Sequence, residues 1–290
     1  ALAGTGLLIF KPDANTFNML GWIWPPCLIA LAIWMGVKSR RHLSSIWQRL
    51  ILYPLFIGLF LAGAAGGYET AQERIDRNRE VSGRLVNLEG RRLYLDCTGS
   101  GGPAVVLLSG LGEGSAYWKG WVSPEVAKYT TVCAYDRAGQ GLSDPPASPQ
   151  DGATVAADLH SLLHRAGVQG PYVLVGNSTG GVYARIFAAA FPNEVSGMVL
   201  LDSQPNEAFD ELPDFPAFYK LIRPVSALFP TLARLGLLRL VNNMAPAMLP
   251  SQTHKEAIAL KSTGSLNRIQ RDEFAELPTS LNQAAALTTL

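Results

Sequence analysis

The chain has 290 residues, and its 24 Lys and Arg against 23 Asp and Glu leave a formal charge of +1, which excludes a nucleic-acid or other polyanion binder that relies on excess positive charge. Charged residues are 16% of the chain and apolar residues 48%, with a mean hydropathy of +0.14, so disorder, a collagen-like repeat and a simple soluble cytosolic domain are excluded together.

The apolar excess lies before residue 69. Ala14 to Val37 is 24 residues without a charge, and Leu50 to Tyr68 is another 19. About 20 residues at 1.5 Å each cross a hydrocarbon layer of about 30 Å. Two transmembrane helices are therefore predicted, at about 17–37 and 50–68, within an anchor spanning 1–68. A secretory signal peptide fits poorly, because Lys11 and Asp13 precede the first run and a second run follows it in place of a cleavage site. The chain opens on Ala1 inside an apolar stretch, so further sequence is expected upstream. The loop between the runs carries Lys38, Arg40, Arg41 and Arg49 and no acid, which places it in the cytoplasm by the positive-inside tendency. Everything after Tyr68 is then extracytoplasmic, and the expectation is a multi-pass plasma-membrane protein. Residues 69–80 (ETAQERIDRNRE) alternate acids and bases and read as a solvated helical stalk or linker.

From Val81 the pattern turns to short apolar runs broken by glycine turns. Strands are predicted at about 81–88, 91–97, 104–109, 131–136, 171–176 and 195–202, with helices near 115–128, 152–167 and 178–191. The last four strands are nearly continuous apolar runs, as parallel strands buried on both faces are. The order βββαβαβαβ over 81–203 predicts an α/β domain with a parallel-rich sheet and helices on both faces. Cys97 and Cys133 read as small core residues, and Cys27 lies in the first apolar run. With no CxxC and no Cys/His cluster, neither a metal nor a cofactor is expected. His160 and His164 share a helix face, but Ser161 stands where a zinc-protease motif requires Glu, so the pair reads as a solvated or packed face.

In parallel sheets the ligand site forms at the carboxyl ends of the strands. Three loops stand there: Ser109 to Gly114, Asp136 to Asp144 and Gly176 to Gly181. The last contains Gly-x-Ser-x-Gly between a strand and a helix, the nucleophile elbow, in which a tight turn exposes the serine and its neighbours lack side chains. Ser178 is the candidate nucleophile. The oxyanion that forms on acyl transfer needs fixed N–H donors, and Thr179 and Leu111 are the candidates.

On these residues the sequence resembles the α/β-hydrolase fold superfamily, in particular bacterial serine esterase- and peptidase-like members, over about residues 83 to 290. The resemblance rests on LLSGLGEG with Trp118 downstream, on AYDRAGQGLSD and on LVGNSTGGVYARIFAAAFPNEVSGMVLLD. It implies Ser178 as nucleophile, Leu111 and Thr179 as the oxyanion hole, and Asp136 and Arg137 as a structural brace. Ser109 and Asn177 stand where many members carry histidine, departures that bear on substrate preference. Relatives that open epoxides or break carbon–halogen bonds carry aspartate at the elbow, so Ser178 implies ester, thioester or amide cleavage through an acyl-enzyme, with acyl transfer as a variant.

Residues 204–290 hold eight prolines between apolar helical pieces and match the family's helical lid in place. Leu232, Leu235, Leu238 and Val241 fall on one predicted stripe, which would pack on the core, line an acyl pocket or face a membrane. The expected partner is a small-molecule or lipid-like acyl substrate. The family takes its triad acid and histidine from loops after a seventh and an eighth strand, for which this chain shows no candidates. The chain is accordingly read as lacking the end of the core, and as inactive by itself; Asp202 and His254 are lesser candidates for acid and base. The alternative is a non-catalytic membrane receptor or pseudoenzyme with the same fold.

Overall fold

The computed structural model describes residues 14–40, 42, 43, 45–78 and 82–287. Two long helices come first, α1 (Ala14–Ser39) and α2 (Ile46–Arg77). Over Met19–Ser39 and Ile46–Arg77 both are long and apolar enough to cross a membrane. They pack closely where α2 lacks side chains: a methyl group at Gly66 would lie 2.1 Å from the Trp24 ring, and one at Gly63 would lie 2.8 Å from Ile29. Small residues at such a seam let two helices approach in an apolar medium. Large apolar side chains such as Trp34, Ile51, Ile57 and Leu61 point outward.

The predicted stalk is not a separate solvated element. Helix α2 continues without a break to Arg77, and Glu69 and Asp76 are buried. Both pair with Arg239, at 2.8 and 3.0 Å. Alternating charge on a helix looks the same whether one face meets water or a partner, so this contact was not visible in the local pattern. Arg79, Glu80 and Val81, the end of the predicted stalk and the start of the first predicted strand, lie outside the described residues.

The α/β domain follows as β1 (Arg84–Leu88), β2 (Arg91–Thr98), β3 (Val105–Leu108), α3 (Ala116–Val126), β4 (Val132–Tyr135), α4 (Gly152–Ala166), β5 (Tyr172–Asn177), α5 (Thr179–Ala190) and β6 (Val195–Leu201), with a 3-10 turn at Pro192–Glu194. The strands form one sheet in the order β1-β2-β4-β3-β5-β6. β1, β2 and β4 pair antiparallel, and β4, β3, β5 and β6 run parallel. Alternate residues of β3 go to opposite faces. Val106 and Leu108 join α4 and α5 in the larger core, while Leu107 meets Trp118, Val132 and Ala134 beneath α3. β3 thus has β4 on one side and β5 on the other, with its helix and that of β5 on opposite faces. This is the topological switch point, where a crevice opens at the strands' carboxyl ends.

After β6 the chain is helical: α6 (Ala208–Glu211), α7 (Phe215–Ser226), α8 (Phe229–Arg234), α9 (Leu237–Met244), α10 (Ser251–Lys261) and α11 (Gly264–Ala285). The single stripe predicted through Leu232, Leu235, Leu238 and Val241 does not form. Gly236 adopts φ +76 between α8 and α9 and redirects the chain, so its two halves belong to different helices.

The reading of Cys97 and Cys133 as unpaired core residues is overturned: they form a disulfide. The register of β2 against β4 sets them directly opposite, with Cα atoms 4.1 Å apart. Two cysteines 36 residues apart give no local sign of this, because it depends on which strands become neighbours. Closing a loop of that length removes denatured-state entropy, so the Cys97→Ala/Cys133→Ala variant is expected to unfold with about 2–4 kcal/mol less stability in denaturant titration. In unreduced protein, both thiols are expected to stay closed to maleimide until dithiothreitol is added; labelling without reductant would show the bond absent.

Candidate active site

β5 delivers the chain to Ser178, and α5 begins at the next residue. Ser178 adopts φ 52 and ψ −122, a region that side-chain-bearing residues rarely occupy. Its surroundings hold it there. The Ser178 N–H donates to Leu201 O (3.2 Å), and its carbonyl accepts from the N–H groups of Gly181 and Gln204 (both 3.1 Å). The flanking glycines allow α5 to lie against the sheet. A methyl group at Gly180 would fall 2.1 Å from Leu108 O, one at Gly181 would fall 2.0 Å from Ser203 Oγ, and one at Gly176 would meet Gly181 Cα at 2.5 Å.

The loop after β3 reaches the same place. A methyl group at Gly110 would lie 3.3 Å from Ser178 Cβ, so the Gly110 backbone runs beside the serine. Arg137, buried at the end of β4, grips this loop from behind: Nη1 donates to Ser109 O (2.5 Å) and Nη2 to Gly110 O (2.7 Å). In a trans peptide the C=O and the following N–H point in opposite directions. With Gly110 O turned to Arg137, the Leu111 N–H is turned away from it. With Ser178 O turned to Gly181 and Gln204, the Thr179 N–H likewise points the other way. Thr179 also heads α5, where helix N–H groups are unpaired and the dipole favours negative charge.

Ser109 takes no part in the opening. It is buried, its hydroxyl accepts from Trp118 Nε1 (2.8 Å) and donates to Gly114 O (3.2 Å). Asp136 is a brace, accepting from the N–H groups of Ser115 (2.6 Å) and Leu142 (2.9 Å). Burial pushes its carboxyl above the usual value, against those two N–H bonds.

Two acidic residues near the serine were not singled out from the sequence. Glu273 of α11 receives Arg137 Nε (3.0 Å) and Gln140 Nε2 (2.7 Å) on one oxygen and the Gly112 N–H (2.8 Å) on the other. Helix α11 is thereby pinned to the loop after β3, and Gly112 needs its missing side chain to clear Gln270. Glu113 turns its carboxyl back to Gly110, where a methyl group would lie 3.2 Å from Oε2. Burial pushes the Glu113 carboxyl up, opposed by the charges of Lys261 and Arg137. Glu113 was legible as an acid inside the loop itself; Glu273 carried no signal, since its partner lies 136 residues away.

Asp202 follows β6 at φ 46 and is exposed, and His254 lies half-buried on α10, which packs on α3. Among the described residues no side-chain hydrogen bond joins either to Ser178.

The family model for the α/β hydrolase fold matches residues 103–234. The chain is 44% identical over 82 residues to an uncharacterized protein of Schizosaccharomyces pombe, covering 28% of this chain and 15% of that protein. It is 40% identical over 81 residues to an uncharacterized vacuolar membrane protein of Saccharomyces cerevisiae, covering 28% of this chain and 13% of that one. The chain thus spans only a small part of the length of these two curated relatives. Among solved structures, the epoxide hydrolase CorEH without ligand is 25% identical with a TM-score of 0.55, covering 71% of this chain and 75% of that chain. Sheet order, the conformation of Ser178 and these matches agree: the chain has the α/β-hydrolase fold.

Proposed function

We propose that the protein is a membrane-anchored serine hydrolase that cleaves an ester, thioester or amide through an acyl-enzyme on Ser178. The observation that carries this reading is the conformation of Ser178, held at φ 52 beside the Gly110 backbone by hydrogen bonds to both of its peptide groups. In the proposed step the Ser178 hydroxyl attacks the acyl carbonyl and passes its proton to a base. The oxygen that becomes negative sits between the Leu111 and Thr179 N–H groups, the leaving group departs protonated, and water then releases the acid and restores the hydroxyl. The likeness to an epoxide hydrolase is a likeness of fold. A serine here, unlike a carboxylate, forms an acyl ester with a carbonyl substrate, which favours acyl over epoxide chemistry.

Support for a lipid-like substrate comes from the lid. On α9, Leu237, Leu240, Val241 and Met244 recur at helical spacing and are all exposed, while Arg239 turns inward to Glu69 and Asp76, and Asn242 donates to Ser262 Oγ (3.0 Å). On α7, Phe218, Leu221 and Val225 are exposed in the same manner. A helix with its charges inward and its apolar side outward suits an interface with lipid. The ion pairs tie α9 to the end of α2, so this surface adjoins the proposed anchor. The basic loop at 38–49 and the Cys97–Cys133 disulfide both favour an extracytoplasmic hydrolase domain, since disulfides persist in oxidising compartments.

Three outcomes are expected. In full-length protein a fluorophosphonate probe labels Ser178, and Ser178→Ala abolishes labelling and lowers turnover by about 10⁶-fold; labelling that survives the substitution refutes the nucleophile, and an unlabelled wild type favours the receptor alternative. Replacing Leu240 by Asp slows hydrolysis of a long-chain ester held in vesicles by about tenfold, the equivalent of one buried leucine, and leaves a short soluble ester unaffected; equal losses on both would sink the membrane-facing lid. Reporter fusions place Ser44 in the cytoplasm and Glu80 outside, and an active cytoplasmic reporter at Glu80 would reverse the orientation.

A further inference from the structure

His160 and His164 lie one turn apart on α4 with ring centroids 4.3 Å apart, and the structure adds a third residue to them. Glu194, the last residue of the 3-10 turn before β6, faces both rings: its Oε1 lies 3.0 Å from His160 Nε2, and its Oε2 lies 3.0 Å from His164 Nε2. Among the described residues these three form a cluster whose ligand atoms all lie within 4.8 Å of one another. We propose that His160, His164 and Glu194 form a binding site for a divalent cation of the zinc class.

The donor set decides the class. Two imidazole nitrogens and one carboxylate oxygen suit Zn²⁺, and also Cu²⁺ or Ni²⁺, whereas Ca²⁺ and Mg²⁺ need an all-oxygen cage. Bonds of 2.0–2.1 Å in a tetrahedron separate neighbouring ligand atoms by about 3.3 Å; the two nitrogen–oxygen spacings of 3.0 Å are near that value, and the two ring nitrogens, within 4.8 Å, would draw together on the ion. His164 is 54% exposed, which leaves a path for the ion and for a water as a fourth ligand.

The frame is rigid as well as open. The His160 ring stacks on Phe191 at 3.9 Å with planes 9° apart, and Phe187 flanks it. The Glu194 N–H donates to Phe191 O (3.0 Å), so the acid and the stacking ring belong to one turn.

The position sets the role. Glu194 precedes β6, whereas Leu201 at its far end accepts the Ser178 N–H. Seven residues at about 3.3 Å each place the cluster about 20 Å from the serine, at the opposite end of the sheet. An ion here takes no part in the acyl chemistry. It clips α4 to the turn that feeds β6, an edge strand whose Val199, Leu200 and Leu201 are exposed.

The test uses the full chain in detergent, stripped with EDTA and titrated with Zn²⁺ against a chromophoric chelator. Wild type is expected to take up one equivalent and to gain thermal stability, and cobalt substitution is expected to give visible d–d bands. His160→Ala and Glu194→Gln should each weaken binding by at least about tenfold and abolish the thermal gain. The conservative Glu194→Asp should retain part of both, which separates ligation from loss of folding. Binding that survives His160→Ala/His164→Ala unchanged, or no uptake beyond the chelator's share, overturns the site.

Discussion

The guanidinium of Arg137 holds the site together with a charge that water does not reach. It fastens two consecutive carbonyls of the loop after β3, and its buried counter-charge, Glu273, comes from the lid helix α11. Taking two ions out of water costs several kcal/mol each, and their attraction recovers this only where the hydrogen bonding is complete. Here Nε, Nη1 and Nη2 of Arg137 all have acceptors, and both oxygens of Glu273 have donors. Burial pushes the arginine toward losing its proton, and the Glu273 charge more than offsets that. Such a network adds little net stability but tolerates one geometry, so its effect falls on position: the loop peptide is turned one way, and the lid helix is seated against it.

The elbow depends on that seating from the other side. A non-glycine residue in the positive-φ region costs on the order of 1–3 kcal/mol and persists only where its surroundings over-determine it. For Ser178 the constraint comes from β6 through Leu201 O, from the first turn of α5, and from Gln204 beyond β6. Gly180 meets the carbonyl of Leu108 at the end of β3, so the strained turn and the gripped loop are neighbours through the same strand end. A sheet in which β3 and β5 are adjacent and parallel brings the two together; an exchange of β5 and β6 would separate them.

How much of this was legible follows from distance along the chain. The strands and helices of residues 84–201 appear within a few residues of their predicted ends, because alternation, apolar runs and glycine turns are local. The elbow was legible for the same reason: its steric demand is expressed by Gly176, Gly180 and Gly181, all within three residues of the serine. The Cys97–Cys133 bond, the Arg137–Glu273 clamp and the burial of Glu69 and Asp76 were not. Each pairs residues that only the completed fold makes neighbours, and a buried acid on a helix has the same sequence pattern as a solvated one.

The same limit explains the lid. Read as one stripe, its leucines predict a single helical side that would pack on the core, line an acyl pocket or face a membrane; Gly236 divides them, and on α9 Arg239 turns inward while Leu237, Leu240 and Val241 face outward. Inward and outward are defined by the partner, and the partner of Arg239 is a helix 170 residues earlier. Once that pair forms, the orientation of α9 is settled relative to α2, while Glu273 settles α11 relative to the loop beside Ser178. The helices after β6 are therefore fixed at two points by buried charge, α9 on the apolar helix α2 and α11 on the loop beside Ser178.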